Sequence, residues 1–169
     1  ALYMLLADGE EGPEVYAAAT KAEQARIVFN AARRMAIRSP ELLRRLEPAK
    51  ARIECSLNGG VFRPLSRDDQ QRGDGLAPHL AIIDEYHAHD TSEIYDVLSQ
   101  SLPKRAQPLL FVITTAGYDL AVPCYAEHRY AEKILLGEIE NDEYFAYIAQ
   151  LDEGDNPQDE AVWIKANPL

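Results

Sequence analysis

Two carboxylates stand side by side at Asp84-Glu85, directly after the apolar run Leu80-Ala81-Ile82-Ile83. A short run of that kind reads as a strand buried on both faces, with the acids emerging where it ends. In an open parallel sheet, ligands bind beyond the carboxyl ends of the strands. One carboxylate placed there can hold Mg²⁺ through a water shell. A second can polarise an attacking water. This is the Walker B arrangement, with Asp84 as the metal-associated acid and Glu85 as the base. Apolar runs followed by Asp-Glu also arise by chance in many α/β proteins, so the dipeptide alone does not specify the chemistry.

A second apolar run, Leu109–Ile113, leads into Thr114-Thr115-Ala116-Gly117. Hydroxyls at the end of a neighbouring strand can sense a γ-phosphate or its attacking water and pass its loss to the rest of the sheet. The plainer reading is that Thr114 caps and Gly117 turns. Around the acids lie His79, His87, His89 and Asp90, a density that could bind a transition metal. A metal-dependent hydrolase built on Asp84, Glu85, His87 and His89 is therefore an alternative. No further His/Cys pair completes a tetrahedral set: His128 is distant, and Cys55 falls on a hairpin. Otherwise these are loop histidines with no ligand role. Tyr86, Tyr95, Tyr118 and Tyr125 are too scattered for a base-stacking platform and read as half-buried packing residues.

The elements that must position these groups alternate along the chain. Ala1–Ala7 reads as the end of an apolar helix stopped at Asp8-Gly9, and Pro13–Thr20 as a buried strand. Ala22, Ala25, Phe29, Ala32 and Ala36 recur at helical spacing, with Arg33, Arg34 and Arg38 mostly on the other side. Ser39 caps a short helical piece over Leu42–Leu46. Residues 52–66 form a β-hairpin around Asn58-Gly59-Gly60. His79–Asp84 is a strand, Thr91–Ser101 a helix capped by Thr91 or Ser92, and Leu109–Thr114 the clearest strand. Val122–Leu136 is helical, Tyr144–Leu151 another strand, and Asp159–Lys165 a short helix. Such alternation predicts an α/β fold with a mainly parallel sheet and covered faces.

Composition sets further bounds. With 169 residues, 47% hydrophobic and 27% charged, the chain has the make-up of an ordinary globular protein. No stretch approaches the apolar length of a membrane span. Cys55 and Cys124 lack metal or disulfide spacing, which suits a reduced compartment. The net charge of −11 is uneven. Glu138–Glu160 holds nine acids and no Lys or Arg, whereas Lys21–Arg72 holds twelve basic and six acidic residues. That segment could face a phosphate backbone or be a solvated helix face.

In order and spacing, these segments resemble the ATPase domain of phage terminase large subunits over nearly the whole chain. The likeness runs from Tyr16-Ala17-Ala18-Ala19-Thr20 and Glu23-Gln24-Ala25 through Phe62-Arg63-Pro64-Leu65-Ser66, Arg72-Gly73 and Ile82-Ile83-Asp84-Glu85-Tyr86-His87. It continues to Thr114-Thr115-Ala116-Gly117 and closes on Trp163-Ile164-Lys165-Ala166-Asn167-Pro168. The resemblance implies a P-loop NTPase fold of the ASCE/RecA-like type, with ATP and Mg²⁺ as cofactors. It implies a motor that drives double-stranded phage DNA into a procapsid in the cytoplasm of a bacterial host. Its partners would be the terminase small subunit, the portal protein and further copies in a homo-oligomeric ring, with no membrane. Asp84 matches the metal-associated acid, Glu85 the catalytic glutamate, and Thr114 and Thr115 the coupling motif. Arg72 matches an arginine that can complete a neighbouring subunit's site, with Arg63 as its rival.

One departure stands out. A phosphate-cradling loop needs G-x-x-x-x-G-K-[ST], and none of Lys21, Lys50, Lys104, Lys133 or Lys165 follows a glycine. The reading is of a single partial ATPase domain over 1–169, truncated upstream so that its first strand and P-loop are absent. Residues 161–169 would begin a linker towards an absent nuclease domain, and the fragment would be inactive alone. A non-catalytic DNA-binding or scaffold module is the third possibility.

Overall fold

A computed structural model describes residues 1–65 and 75–168. The chain divides into two compact units, Ala1–Tyr125 and Ala126–Leu169. The first holds a six-stranded sheet in the order β2-β3-β4-β1-β5-β6. Its strands are β1 (Glu14–Ala18), β2 (Leu46–Pro48), β3 (Ile53–Cys55), β4 (Val61–Pro64), β5 (Pro78–Asp84) and β6 (Leu109–Ile113). The run β4-β1-β5-β6 is parallel, and β2 and β3 extend it antiparallel.

Alternation along the two central strands sorts the core into two layers. Val15 and Ala17 of β1 join Leu80 and Ile82 of β5 on one face, packed with Phe29, Ala32 and Ala36 of α2 (Ala22–Arg38). Leu5 of α1 (Leu2–Leu6) closes the same layer. Tyr16 and Ala18 join Ala81 and Ile83 on the opposite face, packed with Ile94 and Leu98 of α4 (Glu93–Ser101). A period of two in the strands and of 3.6 in the helices thus yields helix-covered faces at the sheet centre.

Several expectations meet corrections here. The helix α3 is shorter than predicted, Pro40–Leu43, although the Ser39 hydroxyl accepts its cap bond from the Leu42 N–H at 3.4 Å. Leu46 instead turns inward, 1% exposed, and opens β2. Arg33 Nε fastens the end of that strand by donating to the carbonyls of Pro48 and Ala49 at 3.1 and 2.8 Å. Ser92 does sit at the start of α4, but its hydroxyl donates to the Asp96 carboxylate rather than accepting a backbone N–H.

β6 is not the fully covered strand that its apolar run suggests. Leu110 and Val112 pack inward, while Leu109, Phe111 and Ile113 are 45%, 48% and 45% exposed. It pairs only with β5 and forms the edge of the sheet among the described residues. Tyr118 is fully exposed, not half-buried.

In the second unit the predicted strand over Tyr144–Leu151 does not form. An apolar stretch needs a neighbouring strand to take its backbone bonds, and none lies beside it among the described residues. Side chains tether it instead: the Tyr144 hydroxyl donates to Glu127 at 3.2 Å, and its ring meets Tyr130 edge-on at 5.1 Å. The 3-10 turn Glu160–Val162 and α6 (Trp163–Ala166) match the predicted terminal helix, with the Asp159 carboxylate accepting from the Ala161 N–H. The remaining helix, α5, spans Pro123–Leu135.

Candidate active site at the carboxyl end of the sheet

Parallel pairing of β5 with β6 places Asp84 directly across from Ile113. The residues that follow both strands, Glu85 and Thr114-Thr115, are therefore neighbours at the same end of the sheet. The chain cannot simply run on from Asp84. Its carboxylate accepts the Glu85 N–H at 3.0 Å, and Glu85 adopts a left-handed backbone, φ 53° and ψ 49°. Among the described residues it is the only non-glycine with positive φ. Backbone of that kind is held by its surroundings and clusters at functional sites. A 3-10 turn, Tyr86–Ala88, follows, closed by Ala88 N–H donating to Glu85 O at 2.9 Å.

Tyr86 anchors this turn. It is 1% exposed and stacks on Tyr95 of α4 with ring centroids 5.6 Å apart. His87 on the next position points the other way, to the end of β6. Its backbone N–H donates to Thr114 Oγ1 at 2.9 Å, and its Nδ1 lies 3.1 Å from the same oxygen and 3.3 Å from Thr115 Oγ1. Thr114 in turn donates its hydroxyl proton to the Thr115 carbonyl at 2.8 Å. Nδ1 is also 3.2 Å from Glu85 Oε2, yet that oxygen is buried with no aligned hydrogen-bond donor. The contact is close enough for charge attraction but misdirected for a hydrogen bond.

Asp84 and Glu85 supply hard oxygen ligands, the kind Mg²⁺ selects, and Mg²⁺ keeps several waters while using only one or two protein carboxylates. A buried carboxylate oxygen without a donor, at the end of a sheet where ligands bind, fits that cation and a positioned water. The histidine-rich alternative fares differently. No group of three or more His, Cys, Asp or Glu side chains among the described residues is placed to hold a metal. His89 is buried, hydrogen-bonded to the Asp84 backbone carbonyl, and kept mostly neutral because burial lowers its pKa. His79 is 1% exposed inside β5 and pairs with Asp8 at 2.8 Å. His79 is thus buried in the strand where the sequence places it, His89 is a loop histidine but a buried one, and the metal-hydrolase ligand set does not assemble among the described residues.

Of the arginines, Arg72 lies outside the described residues. The Arg63 guanidinium sits over the Tyr16 ring at 5.1 Å and so is occupied within its own chain. Sequence reasoning offered His87 only as a candidate metal ligand and missed its contact with the threonine pair: a histidine three positions after the strand's last acid carries no pattern that points to a neighbouring strand.

Comparison with known proteins adds a frame to this geometry. A family model described as terminase large subunit, ATPase domain, matches residues 1–133. A second, terminase large subunit, endonuclease domain, matches residues 138–169. The chain is 44% identical over 104 residues to Protein YmfN of Escherichia coli, a match covering 62% of this chain and 23% of that protein. It superposes on the crystal structure of the HK97 bacteriophage large terminase with a TM-score of 0.82 at 22% identity, over 99% of this chain and 35% of that one. The chain thus spans about a quarter of the curated relative and about a third of the solved terminase.

Proposed function

We propose that this chain, which belongs to the terminase large subunit family, carries the hydrolytic half of an ATPase site that powers packaging of double-stranded DNA. Its partners are those of such motors: the DNA, a terminase small subunit, a portal protein and further copies of the subunit in a ring. The site of action is the cytoplasm of a bacterial host. Residues 1–133 are the ATPase part, and the stretch from 138 leads into a nuclease part. Whatever supplies the phosphate-binding loop completes the pocket.

The observation that carries this reading is the meeting of two strand ends, Asp84-Glu85 beyond β5 and Thr114-Thr115 beyond β6. Mg²⁺ and ATP, when bound, supply the electrophilic phosphorus and most of the charge neutralisation. Asp84 is the carboxylate that would hold the cation. Glu85, its Oε2 free of any aligned donor, accepts a hydrogen bond from the attacking water and orients it. Thr114 and Thr115 register the γ-phosphate and report its departure along β6. Arg72 is the arginine offered to a neighbouring subunit, in preference to Arg63. Catalysis of this kind rests on positioning and charge stabilisation.

The test is ATP turnover by an intact large terminase that carries these residues together with a phosphate-binding loop. Glu85→Gln should abolish turnover and leave ATP binding in place. Undiminished turnover in Glu85→Gln, or no ATP binding by the intact protein, would overturn the reading and favour a non-catalytic module.

A further inference from the structure

We propose that His87 is a positioning residue that ties the carboxylate of Glu85 to the hydroxyls of Thr114 and Thr115. The inference rests on the reaction proposed above and assigns a role to a residue outside the acid pair and the threonine pair. One ring nitrogen faces three oxygens at once: Thr114 Oγ1 at 3.1 Å, Glu85 Oε2 at 3.2 Å and Thr115 Oγ1 at 3.3 Å. A carboxylate can only accept, and the Thr114 proton is already committed to the Thr115 carbonyl. The Thr115 hydroxyl could donate to a bare Nδ1, but its lone pair would then face Glu85 Oε2 and Thr114 Oγ1, neither of which has a proton to offer; all three oxygens are served only when Nδ1 carries a hydrogen. One N–H then serves either the β6 hydroxyl or the Glu85 carboxylate, not both well. Here it is aligned with the hydroxyl, and Glu85 Oε2 is left without a donor. A small rotation of the ring passes the bond from one to the other.

The surroundings are shaped for this ring. The His87 backbone N–H also bonds Thr114 Oγ1 at 2.9 Å, so the turn after β5 is pinned to the end of β6 by main chain and side chain together. Gly117 closes over the histidine so tightly that a Cβ there would stand 2.8 Å from His87 Cβ, and its φ of +70° disfavours any other residue. Cys124 Sγ approaches the same threonine oxygen at 3.7 Å and helps fix its orientation. A shift of β6 that moves Thr114 therefore changes which oxygen the ring holds, and with it the freedom of Glu85.

Two measurements test the proposal. In the 169-residue chain, long-range ¹⁵N–¹H spectra of the His87 ring at neutral pH should show the hydrogen on Nδ1; a ring carrying it on Nε2 alone would overturn the assignment. In the intact large terminase, His87→Ala should lower kcat about 10- to 100-fold, the scale of a misplaced catalytic group, with KM for ATP and binding of a fluorescent ATP analogue unchanged. His87→Asn, whose Nδ2 stands where Nδ1 was, should recover much of the rate, and His87→Gln should not. Equal rates in His87→Ala and the parent, or rescue by Gln as good as by Asn, would refute the role. If Glu85→Gln abolishes turnover while His87→Ala does not, this inference alone fails. If Glu85→Gln leaves turnover intact, the proposed function itself fails.

Discussion

Replacing Glu85 by glycine and by alanine separates backbone from side chain at the candidate site. Both changes remove the carboxylate, including its donorless buried oxygen, so the difference between them reports the backbone alone. In the left-handed region, φ 53°, a Cβ costs about 1–2 kcal/mol. Glycine loses more conformational freedom on folding, about 0.5–1 kcal/mol relative to alanine in ordinary secondary structure. The first effect outweighs the second, so Glu85→Gly should be more stable than Glu85→Ala by about 0.5–1 kcal/mol, the reverse of their usual order. Urea unfolding of the 169-residue chain followed by circular dichroism reads this directly, and a melting curve should separate the two by roughly 1–4 °C. An alanine variant as stable as the glycine variant would mean that the Asp84–Glu85 junction does not rest in the left-handed state. Both variants should lose turnover in the intact protein, because neither can orient a water.

Two further outcomes follow from the core. Phe62 is fully buried and meets Phe29 edge-on with centroids 5.4 Å apart, so Phe62→Ala should destabilise the chain by about 3–5 kcal/mol in the same urea assay; a loss below 1 kcal/mol would contradict the packing. Tyr16 is 4% exposed and its hydroxyl donates to Glu14. Burial first, then the Glu14 bond and its charge, raise the phenol pKa far above the ordinary 10.0, against a smaller opposing pull from Arg63. Folding favours the protonated phenol, so this contribution is full below pH 10 and is lost as pH rises beyond it. Stability measured from pH 9 to 11.5 should fall less steeply in Tyr16→Phe than in the parent, and parallel curves would refute the reasoning.

The centre of the sheet was legible because its strands are short apolar runs with turn signals on both sides. Leu80–Ile83 and Val15–Ala18 are such runs, and the seam of Ala25, Phe29, Ala32 and Ala36 announces α2. The acid pair was legible for the same reason: a buried strand can end only where its residues become polar. β2 was not. Three residues ending in proline carry no alternation, and Leu46 looks like the last turn of a helix until the sheet claims it. Tyr144–Leu151 failed in the opposite direction, since strand-forming side chains do not supply the partner that a strand needs. The sequence offered His87 only as a possible metal ligand; its contact with the threonines escaped because it comes from parallel register between β5 and β6, which brings together residues 27 and 28 positions apart.

Arg105 holds the far end of the same sheet. It is 14% exposed on its side chain and donates to the carbonyls of Ala77, Glu11 and Gly12 and to the Glu10 carboxylate, all within 3.1 Å. Lys104 adds a bond to Leu76 O at 2.6 Å, and Glu14 accepts from the Ala77 N–H at 3.0 Å. β5 is therefore held throughout: rooted by side chains where it enters the sheet, paired with β1 and β6 along its length, and fastened beyond its tip to the end of β6 by the backbone N–H and ring of His87. A push on the turn after Asp84 thus meets backbone pairing along β5 before it reaches the root.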